Sequence, residues 1–153
     1  MTFDQLEHTL ANGLHDAELL GLSVDYVRRN LTLTLDIFVG DFEAPIEKRE
    51  AYRKAHVTVT GLQFFVIEAP AADYPYNDAK PSRIDVCDLS KNLDANLLKS
   101  LPVGTFVVSI WVSNWNAFMH MAATDAQLFW QDEAITYREK REHYLPGEMI
   151  ELQ

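Results

Sequence analysis

Residues 14–40 read LHDAELLGLSVDYVRRNLTLTLDIFVG, and the way they pair decides the fold. Leu31, Leu33, Leu35, Ile37 and Val39 alternate with Thr32, Thr34, Asp36 and Phe38, the period-two pattern of a strand with one buried face. Upstream, Leu20, Leu22, Val24 and Tyr26 alternate with Gly21, Ser23, Asp25 and Val27. Folding the two runs about Arg28-Arg29 sets Tyr26 against Leu31, Val24 against Leu33 and Leu22 against Leu35, with every apolar residue on one face. Two arginines make a poor two-residue turn. A four-residue loop, Val27–Asn30, is therefore expected, with Asn30 in the left-handed region. Leu19 breaks the alternation, which predicts a bulge near Leu19–Leu20.

Outward from this ribbon, residues 2–12 carry Phe3, Leu6 and Leu10 at helical spacing, with Thr2 as cap, Asp4 in the first turn and Gly13 as stop. Residues 41–50 are a charged, exposed connection. Ala51–Glu68 holds a third strand with Ala55, Val57 and Val59 on one face, bent at Gly61. Its second half, Leu62–Ile67, is denser in apolar residues, and Gln63–Ile67 would be an aggregation hazard on an open edge, so an interior position in the sheet is expected. Residues 69–82, APAADYPYNDAKPS, have three prolines and no periodicity, and read as a long loop. Arg83–Leu89 predicts a short strand. Leu93, Leu97, Leu98 and Leu101 predict a short packing helix that stops before Pro102.

A second ribbon follows. Phe106, Val108, Ile110 and Val112 lead to a turn at Ser113–Asn116, and Phe118, His120 and Ala122 alternate on the way back. Thr124–Ala126 reads as a further turn, Gln127–Trp130 as a brief strand, and Ile135–Tyr137 as one more. The tail from Arg138 starts charged and ends in Met149, Ile150 and Leu152, an expected edge segment. The architecture expected is α+β: residues 1–153 as a single domain, with one antiparallel sheet of five to seven strands, a short N-terminal helix and one further short helix.

Charge is the most informative bulk property. Twenty-three acids against thirteen bases give −10 at pH 7. Such a field disfavours nucleic acid and anionic membrane and favours encounter with a basic partner. Hydrophobic residues make up 48%, enough for a real core. No apolar run approaches the roughly 18 residues of a membrane span. The N-terminus, with Asp4 and Glu7, lacks the basic start and apolar centre of a secretory signal, so a cytoplasmic protein is expected. The single cysteine, Cys87, excludes an internal disulfide and reads as a small buried hydrophobe.

The chain has no HExxH, no CxxC, no glycine-rich phosphate loop and no G-x-S-x-G elbow, and its five histidines fall at no metal-ligand spacing. No metal or cofactor is expected. His15-Asp16, just before the first strand, is the one polar pair that could serve acid–base or metal chemistry, with His56 or His120 brought close by the fold. Neighbours on an extended chain point apart, however, so the structural expectation is Asp16 closing the helix–strand turn and a backbone carbonyl holding the His15 ring. Partner contact has a different set of candidates. Asp41, Glu43, Asp73 and Asp78 are loop carboxylates, joined on the polar sheet face by Asp25 and Asp36. Tyr74 and Tyr76 flank Pro75, and Trp115 in its turn is a candidate exposed anchor.

Two segments carry a resemblance. LHDAELLGLSVDYVRRNLTLTLDI, residues 14–37, resembles the opening of small uncharacterised bacterial proteins in which LHDA precedes a strand–turn–strand unit. SNWNAFMHMAATDAQLFW, residues 113–130, resembles a second segment of the same group. Some small proteins with such openings look like immunity proteins, which bind and block a cognate toxin. The resemblance implies a protein partner and no catalytic residues. The expectation is thus a non-enzymatic acidic binding protein, of immunity type, for a basic toxin. The alternatives are an enzyme centred on His15 and Asp16, and a homo-oligomeric structural subunit such as a homodimer.

Overall fold

A computed structural model describes residues 1–45, 49–73 and 82–136. Helix α1 is Phe3–Glu7, shorter than the 2–12 expected. A Thr2–Gln5 capping box starts it, and turns lead from it to Gly13, at φ 59°. The strands are β1 (Ala17–Asp25), β2 (Asn30–Phe38), β3 (Ala51–Thr60), β4 (Phe64–Ile67), β5 (Arg83–Cys87), β6 (Phe106–Val112), β7 (Ala117–Ala123), β8 (Asp125–Trp130) and β9 (Ile135–Thr136). A 3₁₀ turn, Ser90–Asn92, and a second helix, α2 (Ala95–Lys99), capped by Asp94, link β5 to β6.

The strands form one antiparallel sheet in the order β4-β7-β6-β5-β1-β2-β3-β8, with β9 also on β3. The count of nine exceeds the five to seven expected because two long strands are broken at one corner. β3 runs into β4 at Gly61, whose φ is 65° and where a Cβ would collide with Thr124. β7 runs into β8 at Thr124 in the same way, so residues 124–126 form a corner in a continuing strand and not the turn the sequence suggests. Thr60 faces Asp125 before the corner and Phe64 faces Ala122 after it. The ends of the sheet order are therefore continuations of its inner strands. Following the ladders round returns to the start, and the sheet curls into a barrel.

The barrel interior is the core. Leu31, Leu33, Leu35 and Ile37 of β2 meet Ala55, Val57 and Val59 of β3, Ile84 of β5, Val108 and Ile110 of β6, and Met119 and Met121 of β7. Phe3 and Leu6 of α1 join this cluster, with Leu14 of the following turn.

The β1–β2 ribbon keeps the expected face of Leu22 and Val24 and its bulge, which lies between Leu19 and Gly21 and puts Leu19, not Leu20, on the core face. Its register slides by two residues: Val24 faces Leu31 and Leu22 faces Leu33. Asp25 sets this by accepting the N–H groups of Val27 and Arg28 with one carboxylate oxygen, so the loop is Tyr26–Arg29. The left-handed residue is Arg29, at φ 56°, and not Asn30. Arg29 is held there by two hydrogen bonds with Leu62, to its carbonyl and from its guanidinium.

Other expectations are corrected by position. Leu22 and Val24 share the phase of the core yet are 36% and 37% exposed; Leu20, expected beside them, is the bulged residue at 47% exposed, with Leu19 facing core Leu35 in its place, and Tyr26 lies in the loop at 91%. β1 pairs with β5 only at Ala17 and Glu18, so among the described residues no strand covers its far half. β4 is not interior: the bend carries it off β2, β7 is its described partner, and Val66 and Ile67 are half exposed. α2 buries none of its residues, so it is a surface element and not a packing helix.

Candidate functional site

The helix end, β5 and β6 place the polar chemistry of one side of the barrel. Asp16 takes φ 57°, so the chain is not extended at His15-Asp16 and both side chains reach the same place. Ile84 of β5 pairs with Ala17, which brings Asp85 alongside. The His15 ring is held between carboxylates: Nδ1 on Asp85 Oδ1, and Nε2 3.5 Å from Asp16 Oδ2. This replaces the backbone carbonyl expected to hold it. The Asp85 hydrogen bond and charge, with smaller help from Asp16 and Glu7, hold the His15 pKa above the usual histidine value. With both ring nitrogens turned to carboxylates of its own chain, this imidazole is poorly placed to take a proton from a substrate. His120 lies in a separate cluster on β7, and His56 on β3 pairs with Thr34 and Phe129, so neither joins His15. Among the described residues, no group of three or more His, Cys, Asp or Glu could hold a metal.

Beside this pair, a groove of about 400 Å³ runs between α1 and the β5–β6 ladder. Phe3, Val86, Phe106 and Val108 give it an apolar floor, and Asp4, Glu7 and Asp88 stand around it. None of its lining residues is basic. Glu7 is oriented by accepting the Leu14 N–H at 3.3 Å. Cys87 also lines the groove. Burial first, then the charges of Asp85 and Glu7, push its thiol pKa up, which opposes formation of a reactive thiolate.

The second cluster has no signature in the sequence. Ser109 and His120 are cross-strand partners on β6 and β7, on the outer face of the barrel. Ser109 Oγ lies 2.8 Å from His120 Nδ1, and His120 Nε2 lies 2.8 Å from Glu68 Oε1. Glu68 Oε2 accepts the Phe118 N–H at 3.0 Å, and Phe118 stacks on the imidazole. The bonds to His120 and to Phe118 depress the Glu68 pKa. The order serine–histidine–glutamate is that of a hydrolase triad, but the exposures are inverted. Ser109 is 1% exposed and sits mid-strand between paired neighbours, whereas Glu68 opens to solvent. A nucleophile needs access and free N–H donors beside it, and a laddered strand interior supplies neither. The cluster satisfies buried polar groups and ties the end of β4 to β7 and β6. Only a pairing diagram that put Ser109 opposite His120 could have found it.

The remaining candidates scatter. Asp41 and Glu43 are exposed in one turn, where an Asp41 carboxylate oxygen accepts the Glu43 N–H. Asp73 is exposed in a loop tethered to the β6–β7 turn through Ala71 N–H and the Trp115 carbonyl. Trp115 itself is half buried against the core, so it is not an exposed anchor; the Val112–Ala117 closure turns its ring inward. Asp36 is 5% exposed and so does not belong to a solvent-facing carboxylate set. Tyr74, Tyr76 and Asp78 lie outside the described residues, as does the tail from Tyr137. No helix among the described residues is long and apolar enough to cross a membrane.

No protein-family model matches this chain, and no curated protein or solved structure was found to match it.

Proposed function

We propose that this chain is a non-enzymatic acidic binding protein that docks a basic protein partner. An inhibitor of immunity type, directed at a basic toxin, is the version suggested by the resemblance of residues 14–37 and 113–130. The observation that carries the reading is the excess of carboxylates around α1 and β5, which outnumber the nearby bases Arg83, His8 and His15. Asp4, Glu7, Asp16, Asp85 and Asp88 gather on that side; Asp85 and Glu7 help raise the pKa of His15, and, after burial, that of Cys87. In a chain of net charge −10 such a face attracts a basic surface at long range and selects against acidic ones.

The test is capture from a lysate of the source organism at low salt, followed by measurement of each captured protein's affinity for the wild type and for Asp16→Asn/Asp85→Asn. The expected result is a basic protein released by moderate salt, bound more weakly by the variant, and blocked in its own activity when bound. Capture of acidic or salt-insensitive partners alone, or affinities equal in wild type and variant, would overturn the reading.

A further inference from the structure

The geometry points to Phe42 as the anchor by which a basic protein partner is gripped, an inference that rests on the acidic-binding reading and names the residue that fills the partner's surface. Phe42 is 66% exposed, yet its ring does not hang free. It lies 5.3 Å from the Phe38 ring, tilted by 38°, and Phe38 in turn meets Tyr52 edge-on at 5.6 Å. Phe38 and Tyr52 are cross-strand partners at the end of the β2–β3 ladder, so the platform under Phe42 belongs to the barrel wall.

The loop that carries Phe42 is held at several points. Val39 donates its N–H to the Ala51 carbonyl at 2.8 Å, and the Asn12 side chain donates to the Gly40 carbonyl at 3.2 Å. Gly40 is buried, and a Cβ there would collide with the Arg49 carbonyl and the Phe38 ring, so the close approach requires glycine. An Asp41 carboxylate oxygen accepts the Glu43 N–H at 2.9 Å, and the Asp41 carbonyl accepts the Ala44 N–H at 3.0 Å. The ring is thus presented to solvent from backbone that is already ordered, which lowers the cost of binding and suits an interface hot spot.

A lone exposed phenylalanine needs no explanation. Phe42 is not alone, since its ring extends the half-buried Phe38–Tyr52 pair into one aromatic surface, and charge argues for what covers it. Asp41 and Glu43 flank the ring, both exposed, and among the described residues neither enters a salt bridge. Residues 41–50 hold four acids against two bases. A second copy docked here through the same loop would set these carboxylates against their own kind, whereas a basic surface neutralises them around the ring. Tyr26 and Val27, beyond the opposite end of β2, are more exposed at 91% and 94%. Their loop carries Arg28 and Arg29, however, and repels such a partner.

The experiment installs the photocrosslinker p-benzoylphenylalanine in place of Phe42 in the full chain, and separately in place of Tyr26 as a control. Each protein is irradiated in a lysate of the source organism. The expected result is an adduct with a basic protein at position 42 and not at position 26, suppressed by excess wild-type chain but not by Phe42→Ala. That protein, once purified, should bind Phe42→Ala at least about thirtyfold more weakly than the wild type. Asp41→Asn/Glu43→Gln should weaken it about fivefold at low salt, with the difference lost at high salt. Phe42→Ala should melt within about 2 °C of the wild type, because most of the ring is already in water. An adduct with a second copy, with an acidic protein or within the chain itself would overturn the proposal. So would no adduct, equal adducts at both positions, full competition by Phe42→Ala, or a marked fall in its melting temperature. If a captured basic partner binds Phe42→Ala as tightly as the wild type but loses affinity with Asp16→Asn/Asp85→Asn, the anchor fails while the acidic-binding reading stands.

Discussion

The two strands of the first hairpin carry the same alternating pattern and meet different fates. On β2, Leu31, Leu33, Leu35 and Ile37 are 0–1% exposed; on β1, Leu22 and Val24, directly opposite Leu33 and Leu31, are 36% and 37% exposed. The difference is cover. β2 lies between β1 and β3 from Asn30 to Asp36, whereas β1 loses β5 after Glu18. Alternation tells which face a residue joins. It does not tell whether another strand arrives to roof that face.

The sharpest way to break this comparison is a pair of truncations. Leu33→Ala should cost about 2–5 kcal/mol, because a filled barrel interior cannot collapse around the lost atoms. Leu22→Ala, across the ladder, should cost about 1 kcal/mol or less, since much of its surface is already in water. Urea unfolding of both variants checks this, and equal costs would mean that the far half of β1 is roofed after all.

The same contrast extends to the two histidines, one covered and one not. His120→Ala leaves the Ser109 hydroxyl buried without its partner and should cost about 1–3 kcal/mol. Ser109→Ala in the same background should recover part of that loss, and a double-mutant cycle in chemical denaturation reads the coupling.

Acid sensitivity sharpens the point at Glu68, whose pKa is depressed by His120 and by the Phe118 N–H. A depressed carboxylate stabilises the fold above its unfolded pKa, and that contribution is lost as pH falls through the lower folded value. Glu68→Gln should therefore flatten the fall in thermal stability below about pH 4.5. An unchanged acid limb would show that the bond contributes nothing. The effect should be modest because the Glu68 side chain is 45% exposed.

The smallest stability effect is expected at His15, whose side chain is 71% exposed. Its raised pKa contributes stability that is fully present below about pH 6.5 and lost as pH rises through the elevated folded value. Asp85→Asn should bring the imidazole pKa back down, visible in an NMR titration of the ring, with little change in melting temperature at neutral pH. A titration curve that did not move would place the source of the shift elsewhere.

Much of the architecture was legible in the residues. The Leu31–Val39 alternation, the Leu19 irregularity, the Ser113–Asn116 turn, the Gly61 bend and the Thr2 cap all follow from local chemistry that operates within a few residues. The candidate site was much less legible. His15-Asp16 could be singled out, but what joins them is Asp85, seventy positions away, and a left-handed Asp16 that nothing nearby in sequence demands. The Ser109–His120–Glu68 cluster and the acid-walled groove are juxtapositions of strands, silent in any single segment.

The sequence by itself determined the strands, their faces, the acidity of the surface and the absence of a marked catalytic motif, because periodicity, turn chemistry and charge are written residue by residue. Tertiary structure alone decided that the sheet closes through the Gly61–Thr124 corner, that β1 is left half uncovered, and that Trp115 packs against the core while Asp4 and Glu7 of α1 meet Asp88, just after β5, at one groove. Those outcomes depend on which distant strands become neighbours, and a pairing between distant segments leaves no mark on either of them alone.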